Sequence, residues 1–445
     1  MRLLQYSDVE NAYDHPERIG RLAGCIESLR DDRTVVVGTG DDLGPGVLAM
    51  VEDGAQSLDF FRAVESDAET FGNHDFDYGL DAARRVVRQS PQTWVTNVSD
   101  GDDPFGDTVA TTTIERGGTS VGLVGVTDPA SSVPDELAVS APVDAVRDGV
   151  ADLRAAGSDW TVALAHVRDD RLDDIATETD VDAILAGHVH GERHDRIDGT
   201  LLVRPGANGR VLWEVELGKK ATATRHEVAG APRDDEVAER LRARLAETGL
   251  AEVVGVAEEP LDRDREASFA GERRITNFVT DAYRWAGDAD VGYADTRMLR
   301  GGPALSDEVT LAEIRGLEPF AADLCRAELS GETLRDLAEQ AVATDERARR
   351  SPTPEAWWAH FSGMTVVWDR AEQTVREVRV GGESLDPRTE YALATNGYVV
   401  DTDEFPAIGR EHVTETVGVQ YEALVEYART VGVDAELDGR IAVEE

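Results

Sequence analysis

Asp8-Val9-Glu10, Gly40-Asp41-Asp42, Gly72-Asn73-His74-Asp75-Phe76-Asp77, His166 and Gly187-His188-Val189-His190 are five clusters of one chemical kind. Asp, Asn and His supply the oxygen and imidazole ligands that hold borderline divalent cations. Two such cations about 3.5–4 Å apart stabilise both the attacking and the leaving oxygen in a displacement at phosphorus. Singly, each cluster says little. A lone His166 at a strand end is more often structural, and a single Gly-Asp is more often a turn. Their order carries the reading, because each follows a predicted strand.

Short apolar runs at 3–6, 34–37, 93–97, 120–126, 161–165, 183–186 and 201–204 read as strands. Helical patterns at 18–29, 80–89 and 143–155 lie between several of them. The alternation predicts an α/β layered domain, and loops at the carboxyl ends of strands are where such folds place ligands. Composition shifts after Leu217, where 218–233 is small, polar and interrupted by Gly230 and Pro232. Asp234 is placed to cap a helix running to about Thr248. The domains expected are 1–225, a linker and bridging helix over 226–249, and an α+β domain over 250–445. The second domain has helices at 276–286, 311–316 and 331–343, and strands at 251–256, 324–329, 365–368, 375–380 and 391–395. Residues 347–354 read as an exposed loop. His194, His226, His360 and His412 match no ligand pattern and are expected at the surface. Trp357-Trp358 read as a packing or loop feature, and Cys25 as core.

With these motifs in view, the chain resembles the calcineurin-like metallophosphoesterases, and within them the 5′-nucleotidase / UDP-sugar hydrolase family. Gly72-Asn73-His74-Asp75, Gly187-His188-Val189-His190 and Gly40-Asp41 match that family's GNH(D/E), GHxH and GD motifs. The resemblance implies a four-layer α/β sandwich followed by a substrate-binding domain. It also implies that Asp41 bridges two metals, with Asn73, His166 and His188 on one and Asp8 and His190 on the other. His74 would donate to a phosphoryl oxygen while Asp77 orients it. One departure stands out: the family has Asp-x-His at the first cluster, whereas this chain has Asp8-Val9-Glu10. Three readings follow: Glu10 ligates directly, His15 folds back to substitute, or the first site is weak. The first is favoured, because the rest of the metal set is retained. Of Mn²⁺, Zn²⁺, Mg²⁺ and Co²⁺, a more oxygen-rich site favours Mn²⁺.

The resemblance extends through the second domain. Residues 272–286 are similar to the helix that opens the family's substrate domain. Leu317-Glu318-Pro319-Phe320, residues 329–334 and Ala394-Thr395-Asn396-Gly397-Tyr398 match further segments. It implies that a nucleobase stacks on Phe320 and Tyr398, worth about 1–3 kcal/mol per base. The family's NGGGIR loop is here Asp295-Thr296-Arg297-Met298-Leu299-Arg300, which keeps only the final Arg300 and offers Arg297 as a second phosphate contact. Asp403 stands where the family's ribose-binding Asp would be. The expected activity is that of a 5′-nucleotidase-like phosphomonoesterase. The alternatives are a phosphodiesterase, a nucleotide-sugar pyrophosphohydrolase or a catalytically silent nucleotide binder.

Composition bounds the rest. The 445 residues are 41% hydrophobic, which excludes a disordered chain. No apolar run reaches the roughly 20 residues of a membrane span. Two distant cysteines exclude a disulfide scaffold. Acidic residues outnumber basic ones 89 to 45, and the net charge is −44. Only Lys219 and Lys220 are lysines. Such a surface repels nucleic acid and anionic lipid. Its self-repulsion is relieved in molar salt, where the Debye length falls to about 3 Å. The expectation is therefore a cytoplasmic protein of a salt-rich cell, with no nucleic-acid or membrane partner. The sequence leaves its oligomeric state open.

Overall fold

The computed structural model describes residues 1–101, 103–343 and 356–444. The chain divides into two compact units, Met1–Thr248 and Gly249–Glu445. The loop expected at 347–354 lies outside the described residues.

In the first unit, two six-stranded mixed sheets stack face to face. One runs Ala221–Glu227, Val211–Leu217, Arg2–Tyr6, Thr34–Gly38, Ala68–Glu69, Thr93–Trp94. The other runs Arg193–Ile197, Thr200–Arg204, Ala183–Ala186, Trp160–His166, Thr119–Thr127, Thr111–Arg116. The strands that carry the site are parallel neighbours. Arg2–Tyr6 pairs in parallel with Thr34–Gly38, and Trp160–His166 with both Ala183–Ala186 and Thr119–Thr127. These strands are continuous apolar runs because both faces are covered. Along Trp160–His166, Val162 and Leu164 join the core between the sheets, while Ala163 and Ala165 face an outer core. That is the two-residue period of a strand. The outer core is completed by helices Pro142–Ala155 and Asp169–Glu178, which supply Val146, Val150, Leu172 and Ile175. Helix Pro16–Leu29 lies on the opposite side, so the unit has four layers.

Two readings of the sequence need correction here. The stretch 218–233, expected to be an interrupted linker, contains the strand Ala221–Glu227, paired residue by residue with Val211–Leu217. Its alternation of small residues with Arg225, His226 and Glu227 hid a strand with one wet face. The helix after Asp234 is Asp235–Glu247, and the Asp234 side chain accepts from the Glu236 and Val237 amides, as expected of a cap. That helix packs within the first unit. A Cβ on Gly20 of the first helix would stand 2.7 Å from the Asp234 carbonyl oxygen and 3.1 Å from Ala238 Cβ.

The second unit is α+β. A five-stranded sheet runs Ala359–Ser362, Val291–Asp295, Glu390–Asn396, Asp323–Ser330, Val413–Val419. Helix Arg274–Ala286 covers one face through Phe278, Val279, Ala282 and Tyr283. The other face packs on helix Gly331–Gln340 and on a four-stranded sheet that includes Met364–Asp369 and Thr374–Val380. Trp357 and Trp358 are buried, in line with a packing role. Cys25 is buried as well. His360 is not at the surface: it is buried, and its Nε2 donates to the Ser268 carbonyl at 2.9 Å. His226 is half-buried and pairs with Glu214 at 2.8 Å. Among the described residues, no helix is long and apolar enough to cross a membrane.

Candidate metal centre

Parallel pairing brings the carboxyl ends of Arg2–Tyr6, Thr34–Gly38, Trp160–His166 and Ala183–Ala186 to one edge, and the ligand-bearing loops start there. Three close groups of metal-ligating side chains result. Asp8, Glu10 and His190 form one, Asp41, His166 and His188 a second, and Glu10, Asp41 and His74 a third. Within each group the ligand atoms lie within 4.8 Å of one another. Asn73 Oδ1 is 3.1 Å from His188 Nδ1. All seven residues expected to bind metal are therefore brought together. His15 is not in any of these groups; it stands at the N-cap of Pro16–Leu29. Glu10 Oε1 lies 2.9 Å from His190 Nε2.

The backbone is strained where the ligands sit. Asp8, Glu10, Asp41 and His188 have φ of 48°, 47°, 54° and 74°. Each such residue costs about 1–3 kcal/mol, and strain of this kind clusters at functional sites. Close approach fixes the glycines between them. A Cβ on Gly72 would fall 2.1 Å from Asp41 Oδ1, and one on Gly187 would fall 2.4 Å from Ser7 Oγ.

The donor set fits divalent cations. His166 Nδ1 donates to the Thr39 carbonyl at 2.8 Å, which directs the Nε2 lone pair at Asp41 Oδ2, 3.1 Å away. Both residues are fully buried. With the ring neutral these are two acceptors face to face in the interior, an arrangement that either a proton or a metal cation on Nε2 relieves. Burial opposes charge on His166, but the Asp41 and Asp8 carboxylates outweigh it and hold its pKa up at about 10. The site thus attracts positive charge strongly. Burial and the neighbouring His166 push His188 down to about 4, so its imidazole is neutral and able to ligate at pH 7. Asp41 is held well below the usual carboxylate range: burial opposes this, and His166, His74 and His188 overcome it. The His74–Asp77 pair forms as expected, Nδ1 to Oδ2 at 2.8 Å, and is partly exposed.

Sequence reasoning gave no role to two residues that hold this site. Asp75 is buried and accepts four backbone N–H bonds. They come from Asp41 at 3.1 Å, Gly72 at 2.7 Å, Asp42 at 3.0 Å and Leu43 at 2.8 Å. It ties the Gly40-Asp41 loop to the Gly72-Asn73 loop. Asn208, at φ 62°, donates its backbone N–H to the Asp8 carbonyl at 2.7 Å and its amide to Asn11 Oδ1 at 2.6 Å. It fixes the loop that presents Asp8 and Glu10. Its signal was an Asn between Ala207 and Gly209, just past a strand, where a left-handed turn is tolerated. Asp75→Asn keeps the volume but offers one acceptor oxygen. We expect its unfolding midpoint in molar KCl to fall by about 5–10 °C, as two buried amides lose partners. Calorimetry checks this, and a shift below a degree would remove Asp75 from the scaffold.

In the second unit, Arg300 lies over Phe320, Cζ to ring centroid 4.9 Å. Arg297 lies over Tyr398 at 5.6 Å and over Trp358 at 4.4 Å. Phe320 and Tyr398 are both partly buried. The structure thus brings each expected ring to an expected arginine, while Asp403 lies in an exposed turn.

Residues 1–192 match the model of the calcineurin-like phosphoesterases, and residues 253–410 match the 5′-nucleotidase C-terminal domain. The chain is 22% identical to the endonuclease YhcR of Bacillus subtilis over 92% of its own length, and spans 37% of that protein. It is 26% identical to an apyrase of Tabanus yao over 83% of its length and spans 77% of that protein. A 5′-nucleotidase precursor from Thermus thermophilus shares the fold, with TM-score 0.80, 20% identity, and coverage of 100% of this chain and 99% of that one. Calcineurin-like phosphoesterases use a dimetal centre, and the clusters at Asp8, Asp41 and His188 are where this chain can hold one. The chain belongs to the calcineurin-like phosphoesterases that carry a 5′-nucleotidase C-terminal domain.

Proposed function

We propose that the protein hydrolyses nucleotide phosphomonoesters at a dimetal centre, with Mn²⁺ as the preferred ion. The observation that carries the reading is the pair of ligand groups, Asp8–Glu10–His190 and Asp41–His166–His188, beside the His74–Asp77 pair. Asp8, Glu10 and His190 would hold one cation, and Asn73, His166 and His188 the other, with Asp41 available to both. When bound, the two cations supply Lewis acidity and lower the pKa of water toward neutrality. The residues of the chain do the remainder. Asp77 accepts from His74 Nδ1, which turns Nε2 outward; as the imidazolium, His74 donates from Nε2 to a phosphoryl oxygen while Asp77 holds its other N–H. The Thr39 carbonyl fixes the His166 tautomer, and Asp75 keeps the two loops in register. The cations would offset substrate charge within a protein of net charge −44.

The test is hydrolysis of AMP, an aryl phosphate and its bis-ester in molar KCl with Mn²⁺, beside His188→Ala. AMP turnover that disappears in the variant supports the reading. Turnover of the bis-ester alone would favour a phosphodiesterase, a second reading motivated by the similarity to an endonuclease over 92% of the chain. No turnover by folded protein would make it a silent binder.

The acidic surface is also our reason for placing the protein in a salt-rich cytoplasm. We expect cooperative unfolding on dialysis from molar KCl to dilute buffer, as the Debye length grows from about 3 Å to about 30 Å. Circular dichroism against KCl concentration checks this, and a fold indifferent to salt would contradict it.

A further inference from the structure

We propose that the turn at 204–208 seats one of the two cation sites, with Arg204 as the positioning residue for His190. The turn serves the Asp8–Glu10–His190 group and leaves the Asp41–His166–His188 group to other anchors. This rests on the two-metal reading above and assigns the residues that fix the stance of its first site.

The contacts are direct. Arg204 ends the strand Thr200–Arg204 and is only 4% exposed. Its Nε donates to the carbonyl of Gly191, the residue after His190, at 2.7 Å. Its Nη1 donates to Asp169 Oδ1 at 2.6 Å. Asp169 opens the helix Asp169–Glu178, just past the strand that ends in His166. One guanidinium thus clamps the His190 turn to the element that follows His166. A planar fork can do this because its donors leave in fixed directions. The turn beneath is closely fitted. Gly206 has φ 74°, and a Cβ on it would stand 2.8 Å from the His190 carbonyl oxygen. At the far end, Asn208 donates its backbone N–H to the Asp8 carbonyl at 2.7 Å. A single turn therefore holds both loops that present Asp8, Glu10 and His190. His188 is held differently. Its backbone N–H donates to Asp8 Oδ1 at 3.1 Å, and the Gly187 N–H before it donates to the Ala165 carbonyl at 3.0 Å. Neither bond involves 204–208. Arg193 supplies the comparison. It shares Asp169, Nη1 to Oδ1 at 3.1 Å, and places Nη2 on Asp173 at 2.7 Å. Asp169 therefore keeps a cation when Arg204 is changed.

The test titrates the full chain with Mn²⁺ in molar KCl and reads free Mn²⁺ by electron paramagnetic resonance. Arg204→Lys keeps a buried cation beside Asp169 but cannot fork to Asp169 and Gly191 together. It should raise one of the two Kd values by about tenfold or more, the scale of a lost ligand support, and leave the other within about threefold. Gly206→Ala, whose Cβ meets the His190 carbonyl, should do the same, and either variant carries the test if the other does not fold. Arg193→Gln should leave both Kd values within about threefold. In Glu10→Ala, where the first site is already weakened, adding Arg204→Lys should leave the remaining Kd unchanged. The proposal is overturned by two unchanged Kd values in the Arg204 and Gly206 variants, by two raised alike, by an equal effect of Arg193→Gln, or by a further loss in Glu10→Ala. If the wild type holds fewer than two Mn²⁺, the two-metal reading fails instead, and hydrogen exchange decides this one. Amide exchange over 187–192 that quickens about tenfold in Arg204→Lys and not in Arg193→Gln supports the proposal. Exchange unchanged in Arg204→Lys, or quickened alike in both, overturns it.

Discussion

Asp41→Asn should lower turnover of an aryl phosphate by about 10³-fold or more while the protein stays folded. Asp41 belongs to the Asp41–His166–His188 group and also lies with Glu10 of the other group and His74, which places it where both cations would share it. Its Oδ1 accepts the His74 N–H at 2.7 Å, and its Oδ2 faces His166 Nε2 at 3.1 Å. Asparagine has nearly the same shape and still accepts from His74. It presents an N–H₂ group and no charge where a cation must sit, which removes several kcal/mol of charge stabilisation. Steady-state kinetics with metal analysis checks this, and the metal content should fall below two per chain. A variant with more than a tenth of wild-type activity would show that Asp41 does not bridge.

The second large effect is at Glu10, where the chain departs from the Asp-x-His pattern. Glu10→Ala should lower activity by about 10²-fold or more and cost one metal per chain, because the Asp8–Glu10–His190 group loses a ligand. Glu10→His should restore binding and move preference from Mn²⁺ toward Zn²⁺, since imidazole suits zinc and carboxylate suits manganese. Competition between the two ions reads this without any assay of turnover. Glu10→Ala with two metals and full activity would mean that Asp8 and His190 suffice.

Most of the first unit was legible because two signals agreed. Apolar runs marked most of the parallel strands, and each ligand cluster followed one except that at 72–77, which follows the short unmarked strand Ala68–Glu69. The ligand set needed only motif spacing, since parallel pairing brings the strand ends to one edge. What the sequence hid was the support beneath the ligands. Asp75 acts through four backbone amides, and Asn208 through a left-handed turn and a bond to Asn11. Backbone partners leave no spacing pattern. The strand Ala221–Glu227 was missed because its charged residues face water and its small ones resemble a linker. In the second unit, the elements that were read came close to their true ends, but the strands Val291–Asp295, Ala359–Ser362 and Val413–Val419 of the central sheet and the helix Gln420–Thr430 were not read. The engagement of Arg297 by Asp295 and Glu404 was not, because Glu404 lies more than a hundred residues away in sequence. An arginine in a loop gives no sign of which carboxylate will hold it.

The central claim is that this chain builds a two-metal centre with a carboxylate in place of the usual first-site imidazole. Electron paramagnetic resonance of the Mn²⁺-loaded protein in molar KCl, with metal content measured on the same sample, tests it most directly. Two Mn²⁺ per chain with a spin-coupled signal that collapses to isolated Mn²⁺ in both Glu10→Ala and His188→Ala is the predicted result. A single uncoupled Mn²⁺ per chain in the wild type would contradict it.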